Sequence, residues 1–358
     1  MDSFRIFCLG LLLSASAAAQ DYQVETVAQG LDHPWSLAFL PGGSYLVTEM
    51  PGQLRRITTD GQISAPLSGV PEVYRAGQGG LFDVVLHPGF GDNQMVFLSY
   101  AEGPPENNTT SILKARLGRD GLNDPQIIFR TAPGKDTPVH YGGRLAFLTD
   151  GSLLLTMGDG FDKREAAQSL DSHLGKTLRM TDSGQPVENP PFAEAPFVHS
   201  YGHRNPQGLL VDDDGTVFQH EHGPAGGDEV NIIQPGANYG WPAITHGLDY
   251  NGAYVSPFTE WEGMEQPLVH WTPSIAPSGM VLYRGELFPQ WQGDLLVGAL
   301  AAREVRRVDL DGRTVVGQET LFKELEERIR DVRVGPDGAV YLLTDSENGK
   351  LLKVTPAS

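Results

Sequence analysis

The stretch Leu145–Gly160, LAFLTDGSLLLTMGDG, carries the fold in miniature. Two short runs of Leu, Ala, Phe, Thr and Met flank Thr149-Asp150-Gly151. Each run has the length and composition of a strand. The Asp-Gly pair is turn chemistry, because Asp bonds backbone two residues on and Gly accepts positive φ. The unit reads as a β-hairpin. Working outward, the pattern recurs as LAFLPGGSYLVTEM from Leu37, VVLHPGFGDNQMVFLSYAE from Val84, GLLVDDDGTVFQHEHG from Gly208, GMVLYRGELFPQWQGDLLVGAL from Gly279 and VRVGPDGAVYLLTD from Val332. Hairpins repeated at uneven spacing predict a radial array of small sheets, an all-β, six-bladed β-propeller. A large β-sandwich and a β-helix are the competing architectures. Glu165–Leu178 and Leu321–Arg330 have some helical character and are expected as rim insertions.

Of the 358 residues, 1–19 (MDSFRIFCLGLLLSASAAA) have the order of a secretory signal. Arg5 precedes a short apolar run, and Ala17-Ala18-Ala19 offers small residues for cleavage before Gln20. The run falls short of the roughly 20 apolar residues of a membrane span. A periplasmic or secreted location is expected, without membrane insertion. Residues 20–358 contain no low-complexity linker and are expected to form a single domain. Cys8 is the only cysteine and lies in the presumed signal, which excludes a disulfide framework and a thiolate metal site. The net charge of −19 argues against a nucleic-acid partner and makes hard cations plausible ligands. NNTT at Asn107-Asn108 is a formal glycosylation match, better read as an ordinary loop.

Polar signals gather at the ends of the predicted strands, where a propeller funnel opens. They are Gln78 in GQGGLFDVVLHPGF, His140 in VHYGGRLAF, Asp159 in TMGDG, Arg204 and Asn205 in YGHRNPQGL, and Arg328 and Arg330 in ERIRDVRVGPDG. Convergence of separate strand ends on one central pocket is what a radial fold gives. If the strands around Thr149-Asp150-Gly151 pair, His140 and Asp159 lie side by side. A carboxylate that fixes the imidazole tautomer makes His a good general base. Arg328 and Arg330 are two apart and share a strand face, suited to a carboxylate ligand; pairing with Glu326 and Glu327 is the alternative. HEHGPAGGDEVN is rich in carbonyls and carboxylates. There Gly223 and Pro224 offer backbone oxygens, and Asp228 and Glu229 offer carboxylates, as calcium requires.

Taken together, HYGGRL, GHRNPQGL, EHGP…GDEVN, NYGWP and IRDVRVGPDG resemble the glucose/sorbosone dehydrogenase family, specifically its soluble aldose sugar dehydrogenases. The likeness runs from GLDHPWSLAFLPGG at Gly30 to LTDSENGKLLKV. The resemblance implies a periplasmic propeller that oxidises the anomeric carbon of an aldose to a lactone. Electrons pass to pyrroloquinoline quinone (PQQ) and then to an external acceptor, in a monomer or homodimer. It implies His140 as catalytic base, Asp159 as its orienting partner, and Arg204 near the reacting carbonyl. Gln78, Arg204, Asn205, Arg328 and Arg330 match cofactor contacts. Gly223 and Pro224 match backbone ligands of a quinone-bound Ca2+, and Glu229 and Tyr239 resemble ligands of a second calcium. One departure stands out. Members often carry a cofactor-contacting Lys after the strand matching DLLVGAL, and here Ala301 takes that place, followed by Ala302 and Arg303. A calcium-dependent propeller lactonase or other hydrolase, and a non-enzymatic sugar-binding propeller, remain as alternatives.

Overall fold

A computed structural model describes residues 22–357; the expected export segment lies outside the described residues. The described residues form six antiparallel sheets, five of four strands and one of three. Each quoted hairpin supplies the two innermost strands of one sheet. The inner strands are Pro34–Phe39, Leu81–Leu86, Leu145–Phe147, Pro206–Val211, Pro277–Leu282 and Ile329–Val334. Each touches the inner strand before and after it, and the last touches the first. That closed ring is a six-bladed propeller, and it excludes the sandwich and the β-helix.

The second strand of a blade packs against neighbours on both faces, so it reads as an unbroken apolar run. Leu153–Met157 is buried at every residue. The core accordingly lies between blades. Ala38, Leu46 and Leu54 of the first blade meet Leu81, Val84 and Leu98 of the second. Leu296 and Val305 of the fifth meet Ile329, Val332 and Leu342 of the sixth. The turns follow their sequence chemistry. Asp150 Oδ1 accepts the Ser152 N–H at 2.9 Å and Gly151 takes φ 83°. Asp337 Oδ1 accepts the Ala339 N–H at 3.2 Å and Gly338 takes φ 77°.

The strand Tyr22–Leu31 belongs to the sixth blade, where it pairs with Gly349–Pro356 from Tyr22 opposite Pro356 to Leu31 opposite Gly349. The start of the described chain thus completes the last blade.

Both helical expectations are corrected. Within Glu165–Leu178 only a 3-10 turn at Arg164–Gln168 forms, and Lys176–Met180 is a strand paired with Leu153–Met157. The buried Lys176 ammonium donates to the carbonyls of Ala166, Ala167 and Leu174, which ties the turn down and stops it propagating. Within Leu321–Arg330 a 3-10 turn at Lys323–Leu325 is bounded by Phe322 (φ 59°) and Glu326 (φ 53°) in the left-handed region, and Ile329 opens an inner strand.

Buried carboxylates fasten the ring at its axis. Asp83 Oδ2 accepts the Leu145 N–H at 2.9 Å, and its Oδ1 accepts Ser36 Oγ at 2.5 Å, joining three blades. Asp331 Oδ2 accepts the Leu37 N–H at 3.1 Å, joining the sixth blade to the first. Arg144 and Arg333 neutralise the pair: Arg144 Nη1 lies 3.1 Å from Asp331 and 3.8 Å from Asp83, and Arg333 Nε lies 2.9 Å from Asp331. Removing one partner of such a cluster strands the others without compensation. Asp83→Ala is therefore expected to lower unfolding free energy by roughly 3–5 kcal/mol, measured by denaturant titration. A loss within the scatter of surface substitutions contradicts this role.

Candidate functional site

The third blade positions His140 and Asp159. Leu145–Phe147 and Leu153–Met157 pair antiparallel, so the residues before the first and after the second meet at the same end. His140 turns into the left-handed region at φ 55°, and its N–H donates to Gln78 Oε1 at 2.8 Å. Gly158 accommodates this closeness, since a Cβ there would lie 2.4 Å from the His140 carbonyl oxygen. The imidazole Nδ1 is 2.6 Å from Asp159 Oδ1. That oxygen also accepts the Phe161 N–H at 2.8 Å, and Oδ2 accepts Trp241 Nε1–H at 2.8 Å. An ionised carboxylate only accepts, so Nδ1 carries the proton and Nε2 keeps its lone pair. Among the described residues nothing bonds Nε2. Burial lowers the pKa of His140; Asp159 opposes this, and Arg204 and Lys135 reinforce it. The result is a neutral, oriented imidazole with a free acceptor nitrogen, the form a general base needs.

Arg204 is the next piece. Its backbone is held from two sides: the carbonyl accepts the Asp159 N–H at 2.8 Å, and the N–H donates to the Glu221 carboxylate. Glu221 is braced in turn by His203 Nδ1 at 2.8 Å. The guanidinium donates to the carbonyls of Gly223 at 2.6 Å and His222 at 3.2 Å, and to Tyr250 Oη at 3.2 Å. It lies 5.3 Å from the Trp241 ring centre. Its Nε is buried without a protein partner.

Two cavities open among the neighbours of these groups, and His140 and Asp159 themselves line neither. One, of about 450 Å³, lies at the axis and is lined by Gln78, Asn205, Arg328 and Arg330, with Trp35 and Tyr141 as aromatic walls. The other, of about 420 Å³, is lined by Arg204, Pro224 and Trp241, with Phe161, Tyr250 and Asp249. The neighbours Arg204 and Asn205 thus serve one cavity each. A small recess between Gly223, Glu221, Glu229 and Tyr239 has room for a single small ion, at about 10 Å³.

Arg328 and Arg330 do converge. Arg328 Nη2 and Arg330 Nη2 both donate to Asp345 Oδ2, at 2.9 and 3.1 Å. They do not pair with Glu326 or Glu327; Glu327 binds Lys350 instead, at 2.7 Å. Burial pushes the Asp345 carboxyl up, but Arg330 and Arg328 prevail and hold it below the usual range. Arg330 Nε is buried and unpartnered.

Elsewhere the structure revises the sequence expectations. Asp228 is spent on scaffolding: Oδ1 accepts the Gly223 N–H, while Oδ2 accepts Ser274 Oγ and the N–H groups of Ile275 and Ala276. Tyr239 keeps only its carbonyl for a ligand, because its hydroxyl donates to the Ile232 carbonyl and accepts the Gln234 N–H. Burial and the facing Glu221 hold the Glu229 carboxyl well above its ordinary range. Leu300, rather than Ala301, reaches the axial cavity, and Ala301 is exposed beside it. Arg303 turns to the Glu326 carbonyl at 3.3 Å and does not replace the family Lys.

Several site residues escaped sequence reasoning. Asp345 follows the second strand of the sixth hairpin as Asp159 follows that of the third, so the repeat itself was a signal for it. Trp241 sits in the quoted NYGWP, but nothing local tells that its N–H reaches Asp159. Arg75 lines the axial cavity, anchored by Nη1 on the carbonyls of Gly77 and Gly79, and no motif marks it.

The glucose/sorbosone dehydrogenase family model matches residues 31–353. An aldose sugar dehydrogenase of Escherichia coli, YliI, is 42% identical over 98% of this chain and 97% of its own length. Quinoprotein glucose dehydrogenase B of Acinetobacter calcoaceticus is 26% identical over 93% of this chain and 87% of its own. The apo-form crystal structure of the soluble E. coli aldose sugar dehydrogenase superposes with a TM-score of 0.91 at 41% identity, covering 94% of this chain and 100% of that one. The PQQ-bound form of the aldose sugar dehydrogenase from Streptomyces coelicolor superposes with a TM-score of 0.77 at 30% identity, covering 94% and 100%. With its propeller, its ordered motifs and its named relatives in agreement, the chain belongs to the glucose/sorbosone dehydrogenase family and is an oxidoreductase.

Proposed function

We propose that this enzyme oxidises aldoses at the anomeric carbon to lactones, with PQQ in the axial cavity and calcium beside it, and passes the electrons to an external acceptor. The observation that carries this reading is the neutral, oriented His140–Asp159 pair, whose hydrogen-bonded neighbour Gln78 lines a cavity that also carries three arginines. The cavity volume falls in the roughly 300–1,000 Å³ range of small-molecule sites. Arg75, Arg328 and Arg330 line it in a chain of net charge −19, and its one lining carboxylate, Asp345, is already shared by two of them. Orphaned Arg330 Nε awaits an acceptor. This donor set fits a polycarboxylate. A calcium-dependent hydrolase calls for carboxylates around a central ion, and the arginine lining favours the dehydrogenase.

The bound quinone supplies a two-electron acceptor for hydride. His140 Nε2 takes the proton of the anomeric hydroxyl as hydride leaves the carbon. Asp159 keeps the tautomer and stabilises the imidazolium through Nδ1–H, while Trp241 and the Phe161 N–H keep Asp159 still. Arg204 presents a guanidinium at the edge of the second cavity, where it would stabilise negative charge on a reacting oxygen within its reach. Gly223 and Pro224 would hold one calcium through carbonyl oxygens. Since the Gly223 carbonyl now accepts from Arg204, an ion there replaces that bond. The single-ion recess fits a second cation between Glu229 and the Tyr239 carbonyl, relieving the unfavourable closeness of Glu229 and Glu221. Residues 1–19 would direct export to the periplasm or beyond.

Titrating PQQ into cofactor-free protein, followed by its visible absorption, should give saturable binding that requires calcium and precedes sugar-dependent reduction. Calcium-independent binding of unchanged affinity contradicts the metal assignment, and absence of binding contradicts the cofactor.

His140→Ala should keep quinone affinity while turnover falls roughly 10²–10⁴-fold. The active form is the neutral imidazole, and its pKa is depressed from 6.5 by burial. Turnover should therefore stay level through neutrality and decline only as pH drops through a value below 6.5. A pH–rate profile whose acid limb lies above that value contradicts the assignment of His140 as base.

A further inference from the structure

Lys135 is a buried ammonium that the proposed mechanism does not use. It is 1% exposed, and no carboxylate of the described residues lies within ion-pair distance. Such a group is costly to bury without good partners. Its Nζ donates to Asn108 Oδ1 at 3.0 Å and the Thr137 carbonyl at 2.6 Å, and sits 3.3 Å from the centre of the Tyr141 ring. Asn108 is itself fully buried, and Oδ1 also accepts Tyr141 Oη–H at 2.6 Å; it is no glycan acceptor. On the other side, the Lys135 stem packs on Gly160, where an added Cβ would lie 2.9 Å from Lys135 Cδ. Thr137 Oγ1 bonds the Gly160 carbonyl at 2.5 Å. Lys135 therefore grips Tyr141, the residue after His140, and Gly160, the residue after Asp159.

Resting on the reading of His140 as base, we propose that Lys135 is a positioning residue for the His140–Asp159 pair: its cation fixes the two backbone corners that carry them and, through its field, keeps His140 neutral. Burial pulls the Lys135 pKa down to about 7, with Asp159 and Asp136 acting the other way. The ammonium thus keeps most of its charge over the acidic range in which His140 gains its proton. The groups bearing on His140 are Asp159 after the third-blade hairpin, Arg204 before the fourth inner strand, Lys135, and His222 at the end of Val217–Glu221. Asp159 alone favours the imidazolium, and Lys135 offsets part of its pull.

The test is the NMR titration of the His140 ring in cofactor-free protein, wild type against Lys135→Met and Asn108→Asp. The first variant removes the cation; the second sets a carboxylate against it with little change of shape. Both should raise the His140 pKa by about one pH unit, the order expected for one charge several ångströms away at an effective dielectric near 20. Lys135→Arg should leave it near the wild-type value. After PQQ loading, the acid limb of turnover should move upward by the same amount in both neutralising variants. If Lys135→Met does not fold, Asn108→Asp decides. An unmoved His140 titration in a folded neutralising variant overturns the proposal, even if activity falls. Because the titration needs neither quinone nor sugar, it fails independently of the proposed reaction.

Discussion

The pairing of Tyr22–Leu31 with Gly349–Pro356 holds the ring shut, and the rest of the structure depends on that closure. A blade is a sheet with two apolar faces and cannot be stable alone; each face needs a neighbour. Six blades satisfy one another only if the last also meets the first. With the circle closed, the inner strands all deliver their ends to one axis. His140 and Asp159 come from the third blade, Arg204 and Asn205 from the fourth, and Arg328 and Arg330 from the sixth. Residues as far apart in sequence as Gln78 and Arg330 face the same cavity because the circle leaves them nowhere else to go.

Closure also creates an electrostatic problem near the axis. Inner strands expose N–H groups that the next blade does not pair in a sheet. Asp83, Asp331 and Asp228 meet those groups from the side, and Arg144 and Arg333 neutralise the first two. The same chemistry recurs at the functional end with opposite emphasis. There cations outnumber carboxylates: Asp345 is shared by two arginines, Arg75 rests on carbonyls, and Arg204 leans on carbonyls and a ring. A scaffold rich in acidic residues thus presents a basic pocket. The imbalance suits an anionic ligand, and Arg204 adds to the burial that lowers the His140 pKa.

Much of this was legible in the sequence because its causes are local. An Asp-Gly turn between apolar runs is a hairpin wherever it occurs, and six of them imply a ring. The His140–Asp159 pair followed from one hairpin, whose two ends must meet. What stayed hidden depends on distance. Nothing near Tyr22 announces a partner at Pro356, and nothing near Trp241 announces Asp159. The helical character read into Glu165–Leu178 was misjudged because Lys176, which looks like a solvated helix residue, buries its ammonium against three carbonyls. Asp228 looked like a calcium ligand because a carboxylate in a Gly-rich loop usually is free, whereas here the next blade occupies it. The sequence put Ala301 at the axial cavity, but Leu300 lines it instead; Arg75, a further cation there, lies on a blade connection and has no motif.

The central claim is that a neutral His140 takes the hydroxyl proton while hydride leaves the anomeric carbon. Turnover of an aldose deuterated at C1, compared with the unlabelled sugar in PQQ- and calcium-loaded protein, tests it most directly. A primary isotope effect on kcat/KM, with lactone as product, is the predicted result. Sugar consumption with no isotope effect, or release of a hydrolysis product with C1–D intact, contradicts it.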